Sequence, residues 1–310
     1  DNVLYIIGNG FDLHHGINSS YRNFAYWLQR KNKYLYEKLS SLCLTDSLWS
    51  NFEEALAYID RDYFLGMAEV ALPQSWSEDD TIAELLYAGD IANHAGEELW
   101  DEILNSFRKW VCTISWKRQS DGKKLMLDYE ARFITFNYTT FLESKYGIDK
   151  SNILYIHGKQ GSKTNPPIIG HASIDTFNKW YKKKNSSYKK YYNARHALLP
   201  EVELMATNIE EYFALSEKPV RDIINKYNVF LNNLYDIEHI YVLGHSLSDV
   251  DIPYFKKVIH LNDCPECIHW HLSFYDENEK LRLASVFKQK ISNDYKSLTM
   301  FNLNDIQINK

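Results

Sequence analysis

The sequence predicts an α/β protein built on a mostly parallel sheet and interrupted by a large helical insertion. Three observations predict it. Short runs rich in Ile, Val, Tyr and Phe read as strands: VLYIIG from Val3, RFITFN around Phe133, ILYIHG from Ile153, HIYVLGHS around Ile240 and HWHLSFYD from His269. Helical patterns lie between them, so the strands are joined by crossovers and buried on both faces. The unusual polar residues fall where strands end, and in an open α/β sheet those carboxyl ends form the ligand crevice. The expectation is therefore a Rossmann-like sheet with one site built from several loops.

The first strand stops at Gly8-Asn9-Gly10, with Asp12 two residues later. Glycine lets the backbone turn sharply and lets a phosphate or sugar approach, which makes a nucleotide site the first hypothesis. The pattern is not GxGxxG, and no ribose-binding acid stands at the usual distance, which disfavours a nicotinamide-dependent dehydrogenase. Asp12 has the wrong sign to face a phosphate. It is expected to cap the following helix or to accept bonds from ribose hydroxyls.

From about Arg22 to Asp128 the chain reads as helices: Trp49, Phe52, Leu56 and Ile59 recur at helical spacing, as do Leu99, Ile103, Phe107, Trp110 and Val111. The expected organisation is thus an α/β domain formed by residues 1–21 and 129–310, with residues 22–128 as a helical insertion. Ser50 to Glu53 and Thr140 to Glu143 both fit a capping box, so neither glutamate needs a catalytic role.

Thr135, Asn137 and Thr139 close the second strand. An amide is poor for a strand yet suited to orienting a water or a carboxamide, which favours a functional Asn137. His157-Gly158 closes the third strand at the crevice edge, where a histidine is either a satisfied core residue or a base. A second insertion, from Lys159 to about Pro200, is polar and irregular, and a helix from Pro219 to Tyr235 leads back to the sheet. Gly244-His245-Ser246 closes the fourth strand.

The four cysteines, Cys43, Cys112, Cys264 and Cys267, are too few for a disulfide framework and suit a reducing compartment. Cys264 and Cys267 have CxxC spacing near His260, His269 and His271, but structural zinc sites usually show two such ligand pairs. A turn entering a strand is the better reading. Alternation in that strand would point His269 and His271 to one face, with Trp270 and Leu272 on the other. No metal is expected.

A net charge of −6 in 310 residues draws the protein neither to nucleic acid nor to an anionic membrane. No apolar run approaches a membrane span of about 20 residues, and no signal peptide is expected, so the expected location is cytoplasmic. One local segment runs the other way. Lys179, Lys182, Lys183, Lys184, Lys189, Lys190 and Arg195 alternate with Trp180, Tyr181, Tyr188, Tyr191 and Tyr192. Such a segment can hold phosphates and stack bases, although charge runs are usually solvated surface.

Taken in order, Gly8-Asn-Gly10-Phe-Asp12, Thr135-Phe-Asn137-Tyr-Thr139, Ile156-His157-Gly158 and Gly244-His-Ser246 resemble the nucleotide-binding segments of sirtuin-type domains. More closely, GNGFDLHHGI, WSNFEEAL, FITFNYTTFLE, YIHG and VLGHSLSDVDIPYF resemble the bacteriophage abortive-infection AbiH family, over nearly the whole chain. The sirtuin aspartate that contacts the nicotinamide amide is Thr139 here, and the paired zinc motifs of the deacylases are missing, so protein deacylation is not implied.

What the resemblance implies is an anti-phage effector that hydrolyses NAD to ADP-ribose and nicotinamide, with NAD as substrate. Asn137 and His157 would be catalytic; Gly8, Asn9, Gly10, Asp12, Thr135, Thr139, Gly244 and Ser246 would bind the nucleotide. Implied partners are NAD or a related nucleotide and a phage-derived trigger, without a membrane; a homo-oligomer is compatible with the sequence. Two other functions stand beside this one: a non-catalytic nucleotide sensor, and a nucleic-acid effector acting through residues 179–195.

Overall fold

The fold is that of a computed structural model, which describes residues 2–70, 82–116, 124–172 and 211–303. The basic-aromatic segment 179–195 lies outside them. The chain divides into two compact units, one comprising Asp1–Phe24, Arg108–Ile168 and Pro219–Lys310, the other Ala25–Phe107 and Ile169–Lys218.

The first unit is built on a six-stranded, all-parallel sheet. Its strands are β1 (Val3–Ile7), β2 (Arg132–Thr135), β3 (Ile153–Tyr155), β4 (His239–Leu243), β5 (His269–Phe274) and β6 (Ser297–Asn302). They lie in the order β3-β2-β1-β4-β5-β6, the Rossmann order, in which the chain reverses direction across the sheet between β1 and β4. The register aligns Ile7 with both Thr135 and Leu243, and Thr135 with Tyr155. The loops that follow β3, β2, β1 and β4 therefore emerge side by side from one edge of the sheet.

Burial explains why these segments are strands. Leu4, Tyr5, Ile6 and Ile7 are all buried, as expected for a central parallel strand covered on both faces. In β5, Trp270 and Leu272 are buried in the core while His269 and His271 take the other, half-buried face. There His271 stacks on Tyr241 with ring centroids 4.2 Å apart. The core packs Leu4, Ile6, Ile134, Val242 and Trp270 against Phe255 and Val258 of helix Ile252–Leu261 and against Phe287.

Three local expectations are corrected. The 219–235 helix is two short helices, Val220–Lys226 and Asn228–Asn232. Residues 49–59 form only a short helix, Phe52–Ala55, and a 3-10 turn, Leu56–Tyr58, before Ile59 pairs in an antiparallel bridge with Cys43. Their apolar spacing reports burial rather than one continuous helix. Pro265–Cys267 is the expected turn into β5, but Cys264 and Cys267 are joined there as a disulfide.

In the second unit Leu99, Ile103 and Phe107 of the long helix Ile82–Thr113 are fully buried, as their spacing predicts. Neither proposed capping box forms. The cap of Phe52–Ala55 is Asn51 without a side-chain bond, and Glu53 instead pairs with the fully buried ammonium of Lys218. In the first unit the turn Leu142–Tyr146 is capped by Phe141, and Glu143 pairs with Lys159 at 2.9 Å. Long-range charge pairing has outcompeted the local motif in both places. Among the described residues no helix is long and apolar enough to cross a membrane.

Candidate functional site

All the polar residues singled out at strand ends lie in the first unit. The two turns flanking the chain reversal are locked through glycine. Gly8 N–H donates to Leu243 O at 2.9 Å and Gly10 N–H to Gly244 O at 2.7 Å. A Cβ on Gly8 would lie 2.5 Å from His245 Cα, and one on Gly10 would lie 2.8 Å from Gly244 Cα. Gly244 has φ +63°, and its Cβ would lie 2.2 Å from Phe11 N. The glycines thus let the β1 and β4 loops touch backbone to backbone. Asn9 is exposed, accepting from Ser19 Oγ at 2.6 Å, and Ser246 is exposed.

Asp12 does not cap a helix. It lies within the short helix Asn9–His14, whose cap is Gly8, and its side chain is buried. Oδ1 accepts from Asn137 Nδ2 at 2.9 Å and Oδ2 accepts from Thr139 Oγ1 at 2.7 Å. Thr135 Oγ1 accepts the Asn137 backbone N–H at 3.1 Å. The Thr-x-Asn-x-Thr segment after β2 is therefore an arrangement that holds one amide.

That arrangement orients Asn137. A carboxylate can only accept, so the amide must present Nδ2 to Asp12 and turn Oδ1 the other way. Oδ1 is fully buried and has no hydrogen-bond partner among the described residues. A buried acceptor in that state calls for a ligand or an ordered water.

Burial pushes the Asp12 carboxyl up from its ordinary 3.8 to about 6, while the Thr139 and Asn137 bonds oppose the rise. A raised acid stabilises the fold below its unfolded value and loses that contribution as pH rises through the folded one. Wild type should therefore lose about 2–3 kcal/mol relative to Asp12→Asn between pH 4 and pH 7. Urea unfolding of both proteins at the two pH values checks this. A difference that does not vary with pH would mean that Asp12 titrates normally.

His157 follows β3 as Asn137 follows β2, each two residues past the paired Thr135 and Tyr155. It is buried edge-on against Phe136, with ring centroids 5.0 Å apart. The same Phe136 ring meets His245 at 4.4 Å, and Asp251 lies 3.6 Å from both His157 Nε2 and His245 Nε2. Sequence reasoning did not single out His245 or Asp251 as site residues. An acid immediately before Ile252-Pro253 reads as a helix cap; only its failure to cap, visible in three dimensions, reveals another use. Among the described residues, no group of three or more His, Cys, Asp or Glu could hold a metal ion.

The fold and this cluster define a Rossmann-like α/β protein with a buried polar site at the carboxyl ends of its parallel strands. Residues 4–274 match the family model of bacteriophage abortive infection AbiH, and the chain belongs to that family. Membership places it in the defence of bacteria against phage by abortive infection. No curated protein matches the chain, and no solved structure does.

Proposed function

We propose that the protein cleaves the bond between nicotinamide and ribose in NAD, releasing nicotinamide and ADP-ribose. The observation that carries this reading is the buried Oδ1 of Asn137, turned away from the Asp12 carboxylate that fixes the amide, past the end of the strand beside that of His157. Cleavage builds oxocarbenium charge on the sugar while nicotinamide leaves with little acid help, so the enzyme must chiefly orient the reactants and place a water. Asn137 Oδ1 accepts from that water or from the carboxamide, and His157 takes the proton released as water adds.

The choice of NAD rests on the order of the four strand-end segments, which resembles that of sirtuin-type domains. The Gly8 and Gly10 N–H groups are spent on the β4 loop, so nucleotide contacts would come from the exposed side chains of Asn9 and Ser246. Depleting NAD would stop the infected cell and its phage together, which suits abortive infection.

Incubating purified protein with NAD should release nicotinamide, and Asn137→Ala should fold normally while losing at least about 100-fold in rate. Nicotinamide release at the wild-type rate from a folded Asn137→Ala protein would remove the amide from the chemistry. Binding of NAD without any release would make the crevice a sensor.

A further inference from the structure

We propose that the turn into β5 is a thiol–disulfide exchange site, in which Cys264 and Cys267 cycle between disulfide and dithiol with small thiols that carry no net negative charge. The proposal is independent of NAD cleavage and of the crevice.

Cys264 and Cys267 are joined across a sequence separation of 3, in the turn between helix Ile252–Leu261 and β5. The stabilisation a disulfide gives by restricting the unfolded chain grows with the loop it closes, so one this short adds little. Hydrogen bonds hold the same turn without it. Asn262, buried at the end of the helix, donates through Nδ2 to Ile237 O at 2.8 Å and accepts the Cys264 N–H on Oδ1 at 2.9 Å. Cys267 N–H donates to Cys264 O at 2.9 Å, and His269 N–H to Glu238 O at 2.8 Å. Ile268, fully buried, anchors the far side of the turn in the core. A bond that the fold does not need, set at the surface, can open and close while its surroundings stay in place.

Exposure sets the order of events. Cys267 is exposed and Cys264 half-buried, so an incoming thiolate reaches Cys267 Sγ first. It bonds to that sulfur and displaces Cys264 as a thiolate, which takes up a proton. A second thiolate attacks the reagent's own sulfur in the mixed disulfide and releases Cys267, which is protonated in turn. Two external thiols become one disulfide, and the protein gains two electrons and two protons; oxidation runs the same steps backwards.

Charge selects the reagent. Asp263 and Glu266 are exposed in the turn and Glu238 is exposed beside it, while Lys296, whose N–H donates to Ile268 O at 2.9 Å, brings an ammonium to the same edge. Three carboxylates against one ammonium repel an anion such as glutathione and attract a cation such as cysteamine or its disulfide, cystamine.

The test is thiol counting on the purified full chain by alkylation and peptide mass spectrometry, which reads Cys264 and Cys267 apart from Cys43 and Cys112. Excess cysteamine should open the disulfide and make both sulfurs alkylatable, with circular dichroism unchanged, and cystamine should close it again. A disulfide that opens only in denatured protein would be a structural staple, and a pair that stays alkylatable in cystamine would form no disulfide; either result overturns the proposal. At low salt, oxidation by cystamine should be several-fold faster than by oxidised glutathione, with the gap closing as salt rises. Equal rates at low salt would overturn the charge preference. Cys264→Ser, left with the exposed sulfur, should take up a mixed disulfide from cystamine several-fold faster than Cys267→Ser. The reverse order would overturn the sequence of attack. Should either variant fail to fold, the wild-type cycle decides by itself.

Discussion

Gly244→Ala should destabilise the protein by about 3 kcal/mol or more and take the site with it. Gly244 stands at φ +63°, where a side chain costs about 1–2 kcal/mol, and its Cβ would sit 2.2 Å from Phe11 N and 2.4 Å from Gly10 C. Both obstacles are backbone, so relief requires the β1 and β4 loops to part, adding an overpacking cost of about 1–3 kcal/mol. Gly147→Ala is the control. It has a similar φ of +74° but nothing within 4 Å of a Cβ, so only the conformational cost applies, about 1–2 kcal/mol. Urea unfolding of the two variants separates strain from crowding. Equal losses would show that the loops are not in the tight contact described.

His157→Ala should cut nicotinamide release on the order of 100-fold or more while NAD affinity stays within a few-fold of wild type. A base acts on the transition state, so its removal appears in kcat rather than in binding. Toxicity on overproduction in cells should disappear with the activity. Because the ring is buried against Phe136 and Tyr254, the variant also leaves a cavity, and its folded state needs a thermal melt beside the kinetics. Affinity falling in step with rate would make His157 a ligand contact. Toxicity persisting without it would remove glycosidic cleavage through this histidine from the mechanism.

Much of the sheet was legible. Parallel strands covered on both faces are near-continuous apolar runs, and β1 to β4 announce themselves that way, whereas β5 shows itself by alternation. The strand β6 did not, because it is only partly covered, unlike β3 at the opposite edge: in SLTMFN Ser297 and Thr299 share one face while Leu298 and Met300 rest on the core. The capping boxes at Ser50 and Thr140 failed for a different reason. A local pattern predicts a local bond, and Glu53 and Glu143 met lysines remote in sequence instead.

The site was half legible. Strand ends drew attention to Asn137, His157 and the glycines, since polar residues and glycines there break an apolar pattern. Their partnerships were not, because Asp12 meets Asn137 and Thr139 at separations of 125 and 127 residues. The sequence could not say that Asp12 holds an amide rather than caps a helix, or that Gly8 and Gly10 face a second loop. It also could not separate Asp251 from an ordinary helix cap.

From the order of residues alone follow the α/β class, the parallel strands and the row of polar ends, because burial periodicity is a property of each segment. Which polar groups meet is a property of strand order. Only when β4 returns to lie beside β1 does Gly244 close on Gly10, and only then do His157 and His245 come to share Asp251. Hydrogen bonds and ion pairs act over a few ångströms, so the chemistry of this crevice is decided by how the chain crosses the sheet.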